Sequence, residues 1–222
     1  MTQSFSQLGA IFDWDGVIID SSRHHEESWN RLAREEGRAL PAGHFLKGFG
    51  MKNEVIIPGI LDWTRDPGEI RRLSLRKEVL YREIIGEWGI EPLPGVREFL
   101  ERLEASAIPC ALGSSTQRAN IAASLQSFGL DRFFRALITA EDVSHGKPDP
   151  EVFLKAAAGI ARPPRLCVVF EDAPVGIEAA LAGGMRVVGV ATTHGREALV
   201  RAHATVARLD ELDPARLEAL VA

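Results

Sequence analysis

Five short apolar runs punctuate the chain: "LGAIF" (8–12), "PCALG" (109–113), "RALIT" (135–139), "LCVVF" (166–170) and "RVVGVA" (186–191). Each is near-continuous rather than alternating, the pattern of a strand covered on both faces. Helical patterns separate the later runs: "GVREFLERLEASA", "QRANIAASLQSFG", "PEVFLKAAAGIA" and "PVGIEAALAGG". Strand and helix alternate, which predicts an α/β protein with a doubly wound parallel sheet.

The stretch between about Asp20 and Pro92 breaks the alternation. It holds no strand pattern, while "SSRHHEESWNRLAREEG" and "DPGEIRRLSLRKEVLYREIIGEWG" read as amphipathic helices. The organisation expected is a core of residues 1–19 and 92–222, interrupted by a helical insertion over 20–91 that "EPLPG" closes off. No repeat or low-complexity tract competes with that division.

Composition narrows the classes. A chain of 222 residues, 45% hydrophobic and 26% charged, suits one core plus a smaller lobe. A formal charge of -5 gives no general basic footprint for nucleic acid or anionic lipid, so any phosphate must be held locally. No apolar run reaches bilayer length, and "MTQSFSQLG" lacks the basic and apolar regions of a secretion signal. Cys110 and Cys167 lie inside apolar segments, as small buried hydrophobes do. The expectation is a cytoplasmic protein, a monomer or weak dimer, that acts on a small phosphorylated molecule and has neither nucleic acid nor membrane as partner.

Ligands of an open parallel sheet collect at the carboxyl ends of its strands, which directs attention to the residues after each apolar run. Asp13 and Asp15 follow the first run, Ser114 follows the second, Glu171 and Asp172 stand at the fourth, and Lys147 of "GKPDP" lies between the third and fourth. Singly, each has an ordinary explanation as a solvated turn, a helix start or a surface loop. Together they place an acid pair, a hydroxyl, a lysine and a second acid pair at strand ends in chain order. Gly16 would let the backbone approach a phosphate closely. "SST" (114–116) is predicted to open a helix whose free N–H groups favour an anion, with Ser115 and Thr116 as N-caps. Asp149 and Pro150 read as the N-cap and first turn of the following helix.

These motifs resemble the haloacid dehalogenase superfamily: "DWDGV" its first motif, "LGSST" its second, Lys147 its third, and "FEDAPVGIEAALAGGM" its fourth. The resemblance covers nearly the whole chain. Its insertion is similar to the helical cap of the subgroup containing β-phosphoglucomutase and phosphoglycolate phosphatase. The resemblance implies a Rossmann-like core and phosphoryl transfer through an aspartyl-phosphate, with Asp13 as nucleophile and Asp15 as acid and base. Ser114 and Lys147 would act on the phosphoryl group. The implied cofactor is Mg²⁺, held by Asp13, Asp172, Glu171 and the main-chain carbonyl of Asp15, an all-oxygen set that suits this ion.

Within the insertion, "HHEESW" resembles the mutase sequence, placing His25 where a histidine couples closure to the acid/base aspartate; a surface helix histidine is the alternative. "LKGFGMKNEVI" resembles the mutase loop through Lys47 and Gly48, but Met51 stands where the mutase has an arginine that grips a second phosphate, with Lys52 adjacent. Gly16, His25, Lys47, Lys52 and Ser115 are the candidate substrate contacts. A hydrolase of small phosphate esters, sugar phosphates among them, is favoured, since a phosphatase needs only one phosphate site. Three alternatives stay open: a β-phosphoglucomutase-like mutase, a phosphonoacetaldehyde hydrolase-like enzyme, and a phospho-aspartate signalling receiver. "FDWDG" and Lys52 favour the second, although Trp14 is read as packing and Asp15 argues against a Schiff-base route. The receiver shares the chemistry but differs in chain order.

Overall fold

A computed structural model describes residues 7–222. Six parallel strands form one sheet: β1 (Gly9–Phe12), β2 (Cys110–Gly113), β3 (Phe134–Ile138), β4 (Cys167–Glu171), β5 (Arg186–Val190) and β6 (Ala204–Val206). Their order is β3-β2-β1-β4-β5-β6. The chain winds outward from β1 to β2 and β3, then returns to the other side of β1 for β4, β5 and β6. Such a reversal opens a crevice at the carboxyl ends of the central strands, here β1, β2 and β4. The sequence pattern did not predict β6, a three-residue edge strand in which only Val206 is buried.

The chain divides into two compact units, one taking in the chain up to Asp20 and Glu91–Ala222, the other Ser21–Ile90. The second unit is helical: α1 (Ser22–Glu36), α2 (His44–Gly48), α3 (Asn53–Gly59) and α4 (Pro67–Trp88). Helix α1 ends on Gly37 at φ 61°, a left-handed position that glycine takes without strain. Helix α4 starts where Asp66 Oδ1 accepts the Glu69 N–H at 2.8 Å and Pro67 presets the first turn. Trp29 and Leu32 of α1, Ile56 and Ile57 of α3, Leu61, and Leu73 and Leu80 of α4 make this unit's core, and Met51 packs against it. The short helices α2 and α3 left no usable periodicity, and Pro58 interrupts the second of them.

The α/β unit adds α5 (Val96–Ala105), α6 (Arg118–Phe128), α7 (Glu151–Gly159), α8 (Pro174–Ala182) and α9 (Pro214–Val221). On one face of the sheet Ile11, Val169 and Val187 share a core with Phe153, Ala156 and Ala157 of α7 and with Ile177 and Ala180 of α8. On the other, Phe12 stacks on Phe170 with ring centroids 4.5 Å apart, and Phe99 of α5 meets both rings edge-on. Offset and edge-on pairs of this kind add about 0.5–1.5 kcal/mol beyond the area they bury. Phe12 and Phe170 immediately precede Asp13 and Glu171, so an aromatic cluster lies directly behind the start of each acid pair.

Beyond β1 the chain turns tightly. Ile18 and Ile19 donate their N–H groups to Trp14 O, and Gly16 N donates to Ile19 O at 2.8 Å. Ile19 then forms an antiparallel bridge with Pro92, and Leu93 N donates to Ile18 O at 2.8 Å. The outgoing and returning chains therefore run side by side in the α/β unit.

Among the described residues, no helix is long and apolar enough to cross a membrane. Cys110 and Cys167 are both buried and reduced, and burial pushes each thiol up to about 12. The thiolate is the reactive form. Neither cysteine is expected to react with a disulfide reagent at pH 8 until the protein is unfolded, when two equivalents should be consumed; labelling of the native protein would contradict this.

Candidate active site

The crevice gathers six of the side chains singled out in the sequence. Asp13 follows β1, held in place by its N–H bond to Phe170 O at 3.0 Å, which extends the ladder one residue past the strand. Ser114 follows β2 in the same way, its N–H donating to Ile138 O at 3.0 Å. Glu171 ends β4, and Asp172 follows it. Lys147 approaches from the loop before α7 with a fully buried side chain. Its Nζ lies 2.9 Å from Asp13 Oδ1 and 2.7 Å from Glu171 Oε1, and 4.8 Å from the Phe153 ring centre. Asp15, 7% exposed, accepts a hydrogen bond at Oδ2 from the Thr116 hydroxyl at 2.5 Å.

Three buried carboxylates with one ammonium make an electrostatically costly group. Burial pushes Asp13 from 3.8 up to about 7; Lys147 opposes this, while Glu171 and Asp15 add to it. Burial likewise raises Asp172 well above the carboxylate range, with Glu171 and Asp13 contributing. Burial pulls the Lys147 ammonium down, but Asp13 and Glu171 outweigh that and hold it above its usual value. Such crowding, offset by a single ammonium, points to function rather than to folding.

The carboxylates are not equally engaged. Glu171 is satisfied at both oxygens, by Lys147 at Oε1 and by the Ala173 N–H at Oε2, 2.8 Å away. Gly176 makes room for it: a Cβ there would lie 1.7 Å from Glu171 Oε1. Asp172 is fully buried, yet neither of its oxygens receives a hydrogen bond of normal geometry, the nearby Thr193 side chain giving only partial relief. Carboxylate oxygens of Asp13, Glu171 and Asp172 lie within 4.8 Å of one another. Buried charge is normally paired or bound to metal, and this donor set, hard oxygens only, fits a hard divalent cation.

Two local predictions need correction. "SST" does not open the helix, because α6 begins at Arg118 with Gln117 as its N-cap. Ser115 and Thr116 are thus not caps, and the Thr116 hydroxyl is spent on Asp15 instead. Its N–H donates to Ser114 Oγ at 3.1 Å, which leaves the Ser114 hydroxyl proton free to point elsewhere. The second correction is a shift of one residue: the N-cap of α7 is Pro150, and Asp149 Oδ1 accepts the Glu151 N–H at 2.9 Å.

His25, Lys47 and Lys52 belong to the helical unit. His25 is no plain surface residue: its ring stacks on Tyr81 at 4.1 Å, and its Nδ1 is 2.6 Å from the buried Lys77 Nζ. Lys77 also reaches Glu78 Oε1 at 2.9 Å and lies over the Trp29 and Tyr81 rings. Burial disfavours a charged Glu78, but Lys77, His25 and Asn53 outweigh it and keep its carboxyl below the usual range. Lys77 is a functional candidate that charge alone hides in the sequence, although its position on α4 falls in line with Leu73, Ser74, Tyr81 and Ile84, the buried face of that helix. Lys47 is exposed in the last turn of α2, and Lys52, half-buried, is the N-cap residue of α3. Also unread were Thr192 and His194, after β5. The Thr192 hydroxyl donates to Gly16 O, and His194 Nδ1 bonds Asp172 O at 3.0 Å.

A model of haloacid dehalogenase-like hydrolases matches residues 9–184. The chain is 41% identical over 208 residues to the chloroplastic 5-amino-6-(5-phospho-D-ribitylamino)uracil phosphatase of Arabidopsis thaliana, covering 92% of this chain and 55% of the plant protein. It therefore spans about half of that relative. It is 31% identical over 211 residues to the validoxylamine A 7'-phosphate phosphatase of Streptomyces hygroscopicus subsp. limoneus, covering 91% and 94% of the two chains. A solved β-phosphoglucomutase from Clostridium difficile is similar in structure, with a TM-score of 0.85 and 27% identity over 96% of each chain. With four motifs gathered in one crevice and relatives matched along most of its length, the chain belongs to the haloacid dehalogenase-like hydrolases and is an enzyme of their phosphatase type.

Proposed function

We propose that the protein is a Mg²⁺-dependent phosphohydrolase of small phosphate esters that works through an aspartyl-phosphate on Asp13. The observation that carries this reading is the buried group of Asp13, Glu171, Asp172 and Lys147 at the carboxyl ends of β1 and β4, with neither Asp172 oxygen receiving a hydrogen bond of normal geometry. Asp13, Asp172 and the main-chain carbonyl of Asp15 would hold the cation, with Glu171 at the edge of the set because Lys147 and Ala173 already occupy it. The bound cation would supply positive charge between Asp13 and the phosphoryl oxygens, and keep Asp13 and Asp172 ionised.

Asp13 then attacks phosphorus, forming a P–O bond to its own carboxylate as the ester P–O bond breaks. Asp15 gives the departing alkoxide its proton, and afterwards takes one from the water that cleaves the aspartyl-phosphate. Thr116 helps to fix the direction of Asp15 by donating to Oδ2. Lys147 orients Asp13 and adds charge for the transferring group, and the Ser114 hydroxyl donates to a phosphoryl oxygen. The helical unit would act as a cap that excludes water and carries the substrate contacts His25, Lys47 and Lys52.

Hydrolysis is preferred to phosphate transfer within a sugar because Met51, aligned with the mutase arginine, is packed against the apolar core of the helical unit. Asp15 is present, which speaks against the Schiff-base route, and family membership removes the signalling receiver.

Phosphate release should be measured on an aryl phosphate, hexose phosphates, a ribitylamino phosphate and a cyclitol phosphate, with Mg²⁺ or with EDTA. Mg²⁺-dependent release that EDTA abolishes is expected. With Asp15→Asn, kcat should fall about 10²–10⁴-fold and acid-stable label should accumulate on the protein. Release unaffected by EDTA would overturn the cation assignment. No release from any ester, with β-glucose 1-phosphate converted in the presence of a bisphosphate, would establish a mutase instead.

A further inference from the structure

The loop after β5, Ala191 to Gly195, brings no carboxylate or amine to the crevice but holds two of its backbone segments. Thr192 donates its hydroxyl to the main-chain oxygen of Gly16. His194 Nδ1 meets the main-chain oxygen of Asp172 at 3.0 Å; since a carbonyl only accepts, Nδ1 carries the hydrogen. Gly16 and Asp172 are themselves in close contact. Gly16 sits at φ +72°, and a Cβ there would lie 1.8 Å from Asp172 Oδ2 and 2.8 Å from Thr193 Oγ1. One short loop thus pins both sides of the point where the Asp172 carboxylate is lodged.

That matters because neither oxygen of Asp172 receives a hydrogen bond of normal geometry, and Thr193 gives it only partial relief. A carboxylate ligand is usually oriented by donors to its spare lone pairs. Here the orientation comes mainly from the backbone that bears it and from the Gly16 surface against which it rests.

We propose that Thr192 and His194 are positioning residues that set the affinity of the acidic cluster for its divalent cation, acting through the main chains of Gly16 and Asp172. The inference rests on the cation reading given above. Neither residue touches the cation; removal of either lets Asp172 turn away from Asp13 without changing the number of ligands. Losses of support to a ligand of this kind typically weaken metal affinity about 10–100-fold.

The test uses Mn²⁺ alone as the probe, with the free ion followed by electron paramagnetic resonance in titrations of the wild-type protein, Thr192→Val, His194→Ala and His194→Asn. Thr192→Val and His194→Ala should each weaken binding about 10-fold or more, and the asparagine, whose amide can still donate to the Asp172 carbonyl, should recover part of the loss. Thermal midpoints measured in EDTA should stay at the wild-type value, and kcat at saturating metal should stay close to it while the metal concentration for half-activation rises. Wild-type Mn²⁺ affinity in both Thr192→Val and His194→Ala would overturn the inference, as would a loss that the midpoint in EDTA shares. A wild-type protein that binds no Mn²⁺ would instead overturn the cation reading beneath it.

Discussion

Asp13→Asn is expected to abolish phosphate release while making the cation-free protein more stable. The amide preserves the shape of the side chain and its place after β1, but it is no nucleophile, and loss of the attacking group costs about 10⁴-fold or more. Stability should move the other way because the substitution removes one of three crowded, buried acids and leaves Lys147 paired with Glu171 at 2.7 Å. Its dependence on pH has a definite sign. The Asp13 carboxyl holds its proton up to about 7 in the folded protein and only to 3.8 when unfolded. The folded state therefore binds the proton more tightly, and wild-type stability without a cation falls as pH rises through that window. Thermal midpoints of the two proteins in EDTA should nearly coincide at pH 4 and separate by pH 8, with the asparagine protein higher. Phosphate release at the wild-type rate would refute the nucleophile, and a wild type that gains stability between pH 5 and 8 relative to the variant would refute the electrostatic account.

Lys147→Met should be the opposite case, losing both activity and stability. Methionine fills most of the channel against Phe153, so the change is chiefly electrostatic. Removing one partner of a buried ion pair costs about 3–5 kcal/mol, and here the ammonium serves Asp13 and Glu171 together. For a protein of this size that corresponds to a fall in midpoint of about 10 °C. The deficit should be greatest near pH 8, shrink toward pH 5 as the carboxyls take up protons, and shrink again on adding Mg²⁺. An unchanged midpoint at pH 8 in EDTA would mean that Lys147 does not neutralise the cluster.

β1, β2, β4 and β5 could be read from the sequence because they are buried on both faces and so are written as near-continuous apolar runs, whereas β3, a partly buried edge strand, could be read from its apolar residues alone. β6 could not, since it lies at the sheet edge with one buried side chain and is only three residues long. Helix α9 carried a readable start, Asp213 followed by Pro214, with Asp213 Oδ1 accepting the Arg216 N–H at 2.8 Å. The residues after β1, β2 and β4 stood out because charge or hydroxyl directly follows an apolar run. Thr192 and His194 follow β5 in the same way, but side chains whose role is to bond to backbone carbonyls leave no mark in composition or spacing. Thr116 shows the same limit: a hydroxyl near a helix start reads as a cap, and only the fold brings it to a carboxylate about a hundred positions earlier.

The pairing of Ile19 with Pro92 has a consequence for how such a chain diversifies. The α/β unit releases its seventy-residue excursion, Ser21–Ile90, and recovers it at one doorway whose two jambs are already bonded to each other. An excursion of different length or shape can hang from the same doorway without rethreading the sheet, since the closure cost of a loop rises only slowly with its length. With the acidic cluster in the frame and the proposed substrate contacts in the hanging piece, inheritance could keep the chemistry and exchange the clientele.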